Sequence, residues 1–155
     1  MQHFSLKKGL NLPVLGKPRS GIEDVPEVRT VAVVGADFIG LKPRLQVEEG
    51  DFVGPGSPIF AHKDTPDVMV TAPVAGRVKA VNRGARRALI SVEIQLMDVD
   101  KPAIDFSKVG DANTAEGLAE RLAASGLWTS CKTRPYSKVP TTEERPAAIF
   151  VTAMD

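Results

Sequence analysis

Residues 125–140, SGLWTSCKTRPYSKVP, concentrate side chains that could bind a ligand, since they include the only Trp, the only Tyr and the only Cys of the chain. Aromatic rings beside cationic side chains can hold flat polar rings or protein partners through stacking and cation–π contacts. The candidate contact residues for a flat polar ligand or a partner protein are therefore Trp128, Arg134, Tyr136 and Lys138. The alternative is a packing role, in which Trp128 anchors the loop and the basic side chains satisfy carbonyls or carboxylates.

Nucleophilic and metal chemistry have weaker support. Cys131 has no His near it in the sequence, so we interpret it as a small buried or half-buried residue rather than a nucleophile. His3 and His62 are far apart, and the chain contains no C-x-x-C pair. The sequence therefore predicts no catalytic residue, no metal site and no residue that binds a cofactor.

The segment GADFIGLK, residues 35–42, superficially resembles a phosphate-binding loop. Its Lys comes one position late, and Pro43 stands where Ser or Thr would hold magnesium and a helix would begin. We therefore predict a tight turn between two strands here.

A basic cluster occupies residues 76–87, GRVKAVNRGARR. A solvated β-hairpin is the simplest interpretation of such a charge run. The alternative is a docking patch for an acidic partner or for anionic lipid headgroups. Its members are Arg77, Lys79, Arg83, Arg86 and Arg87.

The composition is that of an ordinary globular protein of 155 residues with a formal net charge of +1, which does not suggest nucleic-acid binding. A single Cys excludes an internal disulfide framework and suggests a reducing compartment. The start of the chain lacks the long apolar core of a signal peptide, and no apolar run approaches the length of a membrane span. These features predict a soluble, cytoplasmic chain without a transmembrane segment of its own.

Three regions must position these residues. Residues 1–27 are rich in Gly and Pro and are expected to be extended. Residues 28–98 alternate short β-branched runs with Gly/Pro turns, which is typical of an all-β domain. Residues 99–155 then contain a helix, the loop and one apolar run, which we interpret as the start of an incomplete Rossmann-like α/β domain.

The helix is predicted over 113–126, with Asn113 as its cap and Gly126 ending it. Its apolar face is expected to comprise Ala115, Leu118, Ala119 and Leu122. The run at 147–155 is typical of a buried parallel strand. A helix, a loop and one strand cannot build a core, so the chain is expected to stop inside this domain, with the strand either paired to another chain or frayed.

The segments VEEGDFVGPGSPIF and VTAPVAGRV resemble the hammerhead of biotinyl and lipoyl carrier domains, a barrel-sandwich hybrid. Gly50 and Gly76 suit turns that need a positive φ, and Pro73 presets a turn. A carrier domain needs a Lys at the hairpin tip, where this chain has Thr65; Lys63 lies two residues earlier. The scaffold is therefore expected to serve structure or docking rather than to carry a cofactor.

Several segments in the same order resemble the A-type subunit of the Na⁺-translocating NADH:quinone oxidoreductase: KKGLNLP, VEEGD, VTAPVAGRV, NRGARRALISV, SGLWTSCKTRPYSKVP and AIFVTAMD. The chain resembles the N-terminal third of the members of that family. It implies a peripheral subunit on the cytoplasmic face of the bacterial inner membrane, with an assembly role and contact with ubiquinone. FAD, FMN, riboflavin and the iron–sulfur centre would belong to other subunits, so this chain alone is expected to be inactive.

The resemblance also suggests an origin for the loop. The flavin-binding subunit of complex I and the C-type subunit of the Rnf complex have a glycine-rich segment after the equivalent helix. Here no Gly follows Leu127, and Trp128 and Tyr136 are expected to fill the space of a cofactor. Two alternatives stay open: the C-type subunit of an Rnf electron-transport complex, and an unmodified biotinyl- or lipoyl-like binding module.

Overall fold

The structure, a computed structural model, describes residues 5, 15–16, 19–24, 26–98 and 100–151. The described residues before Thr30 form no helix or strand. Most of the predicted segment 1–27, including His3, lies outside the described residues.

Seven short strands within the described residues form two antiparallel sheets. The first sheet has the order β1-β7-β6-β3 and the second the order β2-β4-β5. The strands are β1 Thr30–Val34, β2 Pro43–Leu45, β3 Phe52–Val53, β4 Pro58–His62, β5 Met69–Thr71, β6 Gly76–Arg83 and β7 Leu89–Leu96. Residues 28–98 are all described, and their only helical turns are 3₁₀ turns at Gly35–Asp37 and Ala85–Arg87, so the predicted all-β region is confirmed.

The core lies between the two sheets. Alternation along the strands turns the β-branched side chains inward, because successive residues of a strand point to opposite faces. Val78 of β6 and its partner Ile94 of β7 are both fully buried, and Phe60 of β4 closes the core from the other sheet. Phe38, in the turn after β1, packs edge-on against Phe60 with the ring centroids 5.6 Å apart.

The glycine turns agree with the sequence prediction in one place and differ in another. Gly50 has a φ of +99°, as predicted for the turn before β3. Gly76 does not have a positive φ and is instead the first residue of β6. A Cβ at this position would collide with the carbonyl oxygen of Gln95 on β7, so Gly76 permits close approach of two strands rather than a left-handed turn.

The segment 35–42 forms the predicted tight turn. A 3₁₀ turn over Gly35–Asp37 is followed by Gly40 with a φ of +83°, and the chain then enters β2 at Pro43. These residues are all described, and none of them begins the α-helix that a phosphate-binding loop would require.

The described residues contain one α-helix, α1, which spans Ala115–Ser125. Its cap is Thr114, whose hydroxyl accepts a hydrogen bond from the backbone N–H of Gly117, so the prediction of Asn113 is wrong by one residue. Asn113 instead binds the Asp111 carboxylate through its backbone and side-chain N–H groups. Gly126 ends the helix in the left-handed conformation, as predicted.

The predicted apolar face of α1 is wrong at two of its four positions, whereas Ala119 and Leu122 are partly buried. Ala115 and Leu118 are exposed, whereas the buried residues are Gly117 and Ala123. Small residues face inward because the helix lies close to backbone: a Cβ on Gly117 would collide with the backbone of Asp111. Close approach, rather than apolar periodicity, decides which face of this helix is buried.

The predicted buried strand at 147–155 is not formed in residues 147–151. Those residues belong to no strand, and Ile149, Phe150 and Val151 are about four-fifths exposed (78%, 79% and 81%). A buried strand needs partners on its edges and faces, and no described strand pairs with this segment. Residues 152–155 lie outside the described residues.

Candidate functional site

The loop 125–140 is anchored in the core of the β-domain. After Gly126, a 3₁₀ turn over Leu127–Ser130 directs Trp128 against the core, and Val139 is itself a buried member of that core. The indole Nε1 of Trp128 donates a hydrogen bond to the carbonyl oxygen of Pro140 at 2.9 Å. The loop thus leaves the core at Trp128 and returns to it at Val139.

A backbone contact fixes the returning end. The N–H of Val139 donates to the carbonyl oxygen of Ile39 at 2.9 Å, next to Gly40 in the turn before β2. A Cβ on Gly40 would lie 3.0 Å from the Cγ of Lys138, so the loop runs directly over this turn. The loop is therefore packed onto the β-domain surface and is not a loosely attached connection.

The middle of the loop forms a tight turn that faces solvent. The N–H of Thr133 donates to the carbonyl of Lys138, and the N–H of Ser137 donates to the carbonyl of Thr133, both at 2.8 Å. These bonds leave the side chains of Arg134, Tyr136 and Lys138 exposed, with Tyr136 74% exposed.

On this outer face each cation lies near a ring. The Nζ of Lys138 is 5.8 Å from the centroid of the Tyr136 ring, and the guanidinium carbon of Arg134 is 5.8 Å from the centroid of the Phe150 ring. We define the outer face of the loop as these four side chains. The structure therefore separates the predicted site: Arg134, Tyr136 and Lys138 lie outside, and Trp128 packs inward.

Two expectations about the loop are wrong. Tyr136 does not fill a cofactor space, because its ring is mostly in solvent. Cys131 is exposed rather than buried or half-buried. Both residues belong to the part of the loop that turns away from the core between Trp128 and Val139.

Sequence reasoning also missed two residues. Val139 is buried, although it stands between a Lys and a Pro with no apolar neighbour to signal burial. Phe150 belongs to the outer face, although its apolar run suggested a buried strand. The sequence signal that could have identified Phe150 is its aromatic ring close to the positively charged loop.

The joint between α1 and the β-domain sets the position of the loop. The Thr71 hydroxyl at the end of β5 donates to the carbonyl of Ser125 at 3.1 Å. A Cβ on Gly126 would lie 3.0 Å from that hydroxyl oxygen. Gly126 therefore permits both the left-handed end of the helix and its contact with β5.

The other side of α1 is held by Arg121. Its guanidinium donates to the backbone carbonyls of Val109, Ser107 and Gly110, at 2.8, 2.6 and 2.9 Å. Hydrogen bonds from the backbone N–H and the hydroxyl of Ser107 lower the pKa of Asp105 below its ordinary value. Arg121 thus joins the helix to the segment that leads into it.

Asp111 lies just before the start of the same helix. The pKa of Asp111 is lowered, first by the hydrogen bond from the backbone N–H of Asn113 and next by that residue's side-chain amide. The carboxylate therefore orders the turn that precedes the helix cap.

The β4–β5 hairpin tip does not fit a carrier role. Thr65, at the position where a carrier domain has its Lys, has no amine and is only 8% exposed. Lys63 is exposed, and its neighbour Asp64 accepts a 2.8 Å hydrogen bond from Lys42. That bond is the main cause of the lowered pKa of Asp64. The tip is thus a closed, hydrogen-bonded turn without a lysine at its apex.

Metal-binding and membrane-spanning features are both missing from the described part of the chain. It contains no cluster of three or more His, Cys, Asp or Glu side chains that could hold a metal ion. Among the same residues, α1 and the other helical segments are too short or too polar to span a bilayer.

Two packed antiparallel sheets, followed by a helix and a loop, are the architecture of a barrel-sandwich hybrid domain with a helical segment after it. The family model for the NqrA N-terminal barrel-sandwich hybrid domain matches residues 4–97, and that for the NqrA second alpha/beta domain matches residues 113–155. The chain belongs to the NqrA family. The predicted fold class and the predicted family are both confirmed.

Three curated relatives are similar over nearly the whole chain, and each is named as the A-type subunit of the Na(+)-translocating NADH-quinone reductase. The protein from Saccharophagus degradans is 46% identical over 156 residues, with 98% of this chain and 34% of the relative covered. Those from Serratia proteamaculans and Actinobacillus succinogenes are 43% and 44% identical, each with 98% and 35% covered. The chain thus spans about a third of the length of these relatives.

Proposed function

We propose that this chain is the scaffold portion of the NqrA subunit in a sodium-pumping NADH:quinone oxidoreductase, a peripheral subunit on the cytoplasmic side of the bacterial inner membrane. In this proposal the redox cofactors, FAD, FMN, riboflavin and the iron–sulfur centre, are carried by other subunits. The relatives' names support the complex, and the domain organisation 1–27, 28–98 and 99–155 is retained as part of the proposal.

The observation that carries a docking role is the two-sided loop. Trp128 and Val139 hold its ends in the core, so its outer face has a defined position. The exposed rings of Tyr136 and Phe150 have cations beside them and are available to another surface. Exposed aromatic and Arg side chains on a rigid support are typical of contact points between proteins.

A second candidate is contact with the ubiquinone headgroup. The two cation–ring pairs favour it, because a flat polar ring can stack on an aromatic side chain beside a cation. Small-molecule sites are usually concave, however, and the outer face projects into solvent. We therefore rank the contact with a partner subunit first and keep quinone contact as an outcome of the test.

The test replaces outer-face residues in the assembled complex. Arg134→Ala combined with Tyr136→Ala removes both kinds of contact, and Lys132→Ala, an exposed cation on the same loop, is the matched control. We expect the double variant to reduce the amount of the NqrA subunit that co-purifies with the complex, with quinone reduction and NADH oxidation falling together.

Quinone contact would give a different result. The complex would then assemble normally, quinone reduction would fall, and NADH oxidation with an artificial acceptor would survive. Full assembly with unchanged kinetics in the double variant would contradict both roles.

A further inference from the structure

The β6–β7 hairpin carries a strong charge asymmetry. Residues 68–92 contain five basic side chains and no acidic one, in a chain whose overall net charge is +1. We define the hairpin tip as residues 83–90, which join the end of β6 to the start of β7.

The basic residues of β6 below the tip have partners within the domain. The guanidinium of Arg77 donates to the carbonyl of Gly50 and lies 5.9 Å from the Phe52 ring centroid. The Lys79 ammonium is 3.8 Å from the carboxylate of Glu93. These two cations therefore already interact with groups of the β-domain.

The tip arginines are different. Arg83, Arg86 and Arg87 are exposed, and among the described residues no carboxylate forms an ion pair with any of them. The one hydrogen bond from their guanidinium groups to a described residue goes from Arg83 to the carbonyl of Arg87. Within the described part of the chain, Arg86 and Arg87 thus have no ion-pair partner, and Arg83 lines a depression together with Glu48 and Glu49 without pairing to either.

An apolar side chain lies on the same tip. Ile90 is 52% exposed, and a Cβ on Gly84 would lie 3.3 Å from its Cδ1 atom, so the Ile90 side chain covers the turn backbone. The tip therefore combines exposed guanidinium groups with an exposed aliphatic group.

The backbone of the tip is unusual for its residues. Arg86 and Arg87 have φ values of +56° and +61°, in the left-handed region where Gly or Asn is favoured. Residues held in such sparsely populated backbone conformations cluster at functional sites. Two adjacent arginines in this region support a role for their charges.

From these observations we propose that the hairpin tip binds anionic phospholipid headgroups at a membrane surface. Guanidinium groups form paired hydrogen bonds with phosphate oxygens, and Ile90 can enter the interfacial region between the headgroups. An acidic protein is the weaker choice, because a stable protein interface uses about 20–30 residues on each side, and the exposed charge here is confined to one short turn.

The experiment is co-sedimentation of the purified chain with vesicles. The probe is vesicles of phosphatidylcholine with about 30% phosphatidylglycerol, compared with pure phosphatidylcholine, at about 0.1 M salt. We expect binding to the anionic vesicles alone, and its loss at about 1 M salt, where the Debye length falls to about 3 Å. Arg86→Gln combined with Arg87→Gln should weaken binding about 10- to 30-fold.

The matched control is Arg19→Gln combined with Arg44→Gln, which removes the same charge from exposed positions outside the tip. It should reduce binding by less than about threefold. Equal losses in the two double variants would show a net-charge effect and overturn the proposal. Absence of binding to anionic vesicles would also overturn the proposal. If, in that case, the tip variant detached the protein from its complex, the tip would contact an acidic protein instead. The vesicle assay does not depend on the proposed contact of loop 125–140, so either proposal can fail alone.

Discussion

The Trp128 indole donates a hydrogen bond to the carbonyl of Pro140, across the whole width of the loop that separates them. This bond joins the two ends of the loop where both enter the β-domain. Between them the chain turns outward, so residues 125–140 contribute both to the core and to an exposed face. The two faces should therefore respond differently to substitution.

We expect Trp128→Ala to lower the free energy of unfolding by about 3 kcal/mol, in line with the loss of a large aromatic side chain from a packed site. Tyr136→Ala, which removes a ring that is 74% exposed, should change it by less than about 0.5 kcal/mol. Urea unfolding is followed by circular dichroism rather than by tryptophan fluorescence, since Trp128 is the only tryptophan. Equal losses of stability in the two variants would contradict the conclusion that Trp128 faces the core and Tyr136 faces solvent.

Gly126→Ala should destabilise the chain by about 1–2 kcal/mol, because the left-handed conformation costs an L-residue about that much. The new Cβ would also lie 3.0 Å from the Thr71 hydroxyl oxygen, so the contact between α1 and β5 must shift. Thermal unfolding is the measurement. Gly21→Ala is the control, because its Cβ would meet no atom within 4 Å; a similar loss there would remove the argument for Gly126.

The cap of α1 can be tested with two neighbouring variants. Thr114→Ala should cost about 1 kcal/mol, the usual effect of losing an N-cap hydroxyl. Asn113→Ala should cost less than half as much, because the Asn113 side chain binds only the exposed Asp111 carboxylate. Chemical unfolding of both variants gives the two losses in the free energy of unfolding. A larger loss for Asn113→Ala than for Thr114→Ala would identify Asn113 as the cap.

The Asp111 carboxylate should make stability depend on acid pH. Its pKa in the folded chain lies below the ordinary 3.8, so its contribution is fully present above that value and is lost as the pH falls through the folded pKa. Asp111→Asn should therefore reduce stability more at pH 6 than at pH 2.5. Urea midpoints at the two pH values give the result, with Glu23→Gln as an exposed control. A loss that is the same at both pH values would contradict the role of the charge.

No covalent carrier modification is expected. After co-expression with a biotin ligase or a lipoate ligase, intact-mass analysis should show the unmodified chain, because the tip position is Thr65 and lacks an amine. A genuine biotin carrier domain expressed in parallel confirms that the ligase is active. An adduct that disappears in Lys63→Arg would show that the neighbouring lysine has taken over the attachment role.

The sequence by itself determined the β-domain and the position of the loop. Short β-branched runs and Gly/Pro turns depend on local backbone preferences, so β1, β6 and β7 could be placed without a structure. The loop was equally visible, because rare side chains were concentrated in one stretch. The family resemblance rested on such local segments and is confirmed by the comparisons.

Only the tertiary structure decided which side of the loop faces the core. Val139 is buried because it meets Ile39 and the turn before β2, far away in the sequence, and Tyr136 is exposed because the Thr133–Lys138 bonds reverse the chain. The buried face of α1 depended likewise on close backbone approach at Gly117 rather than on its own apolar periodicity. Burial is a property of contacts between distant segments, and no local pattern records which segments will meet.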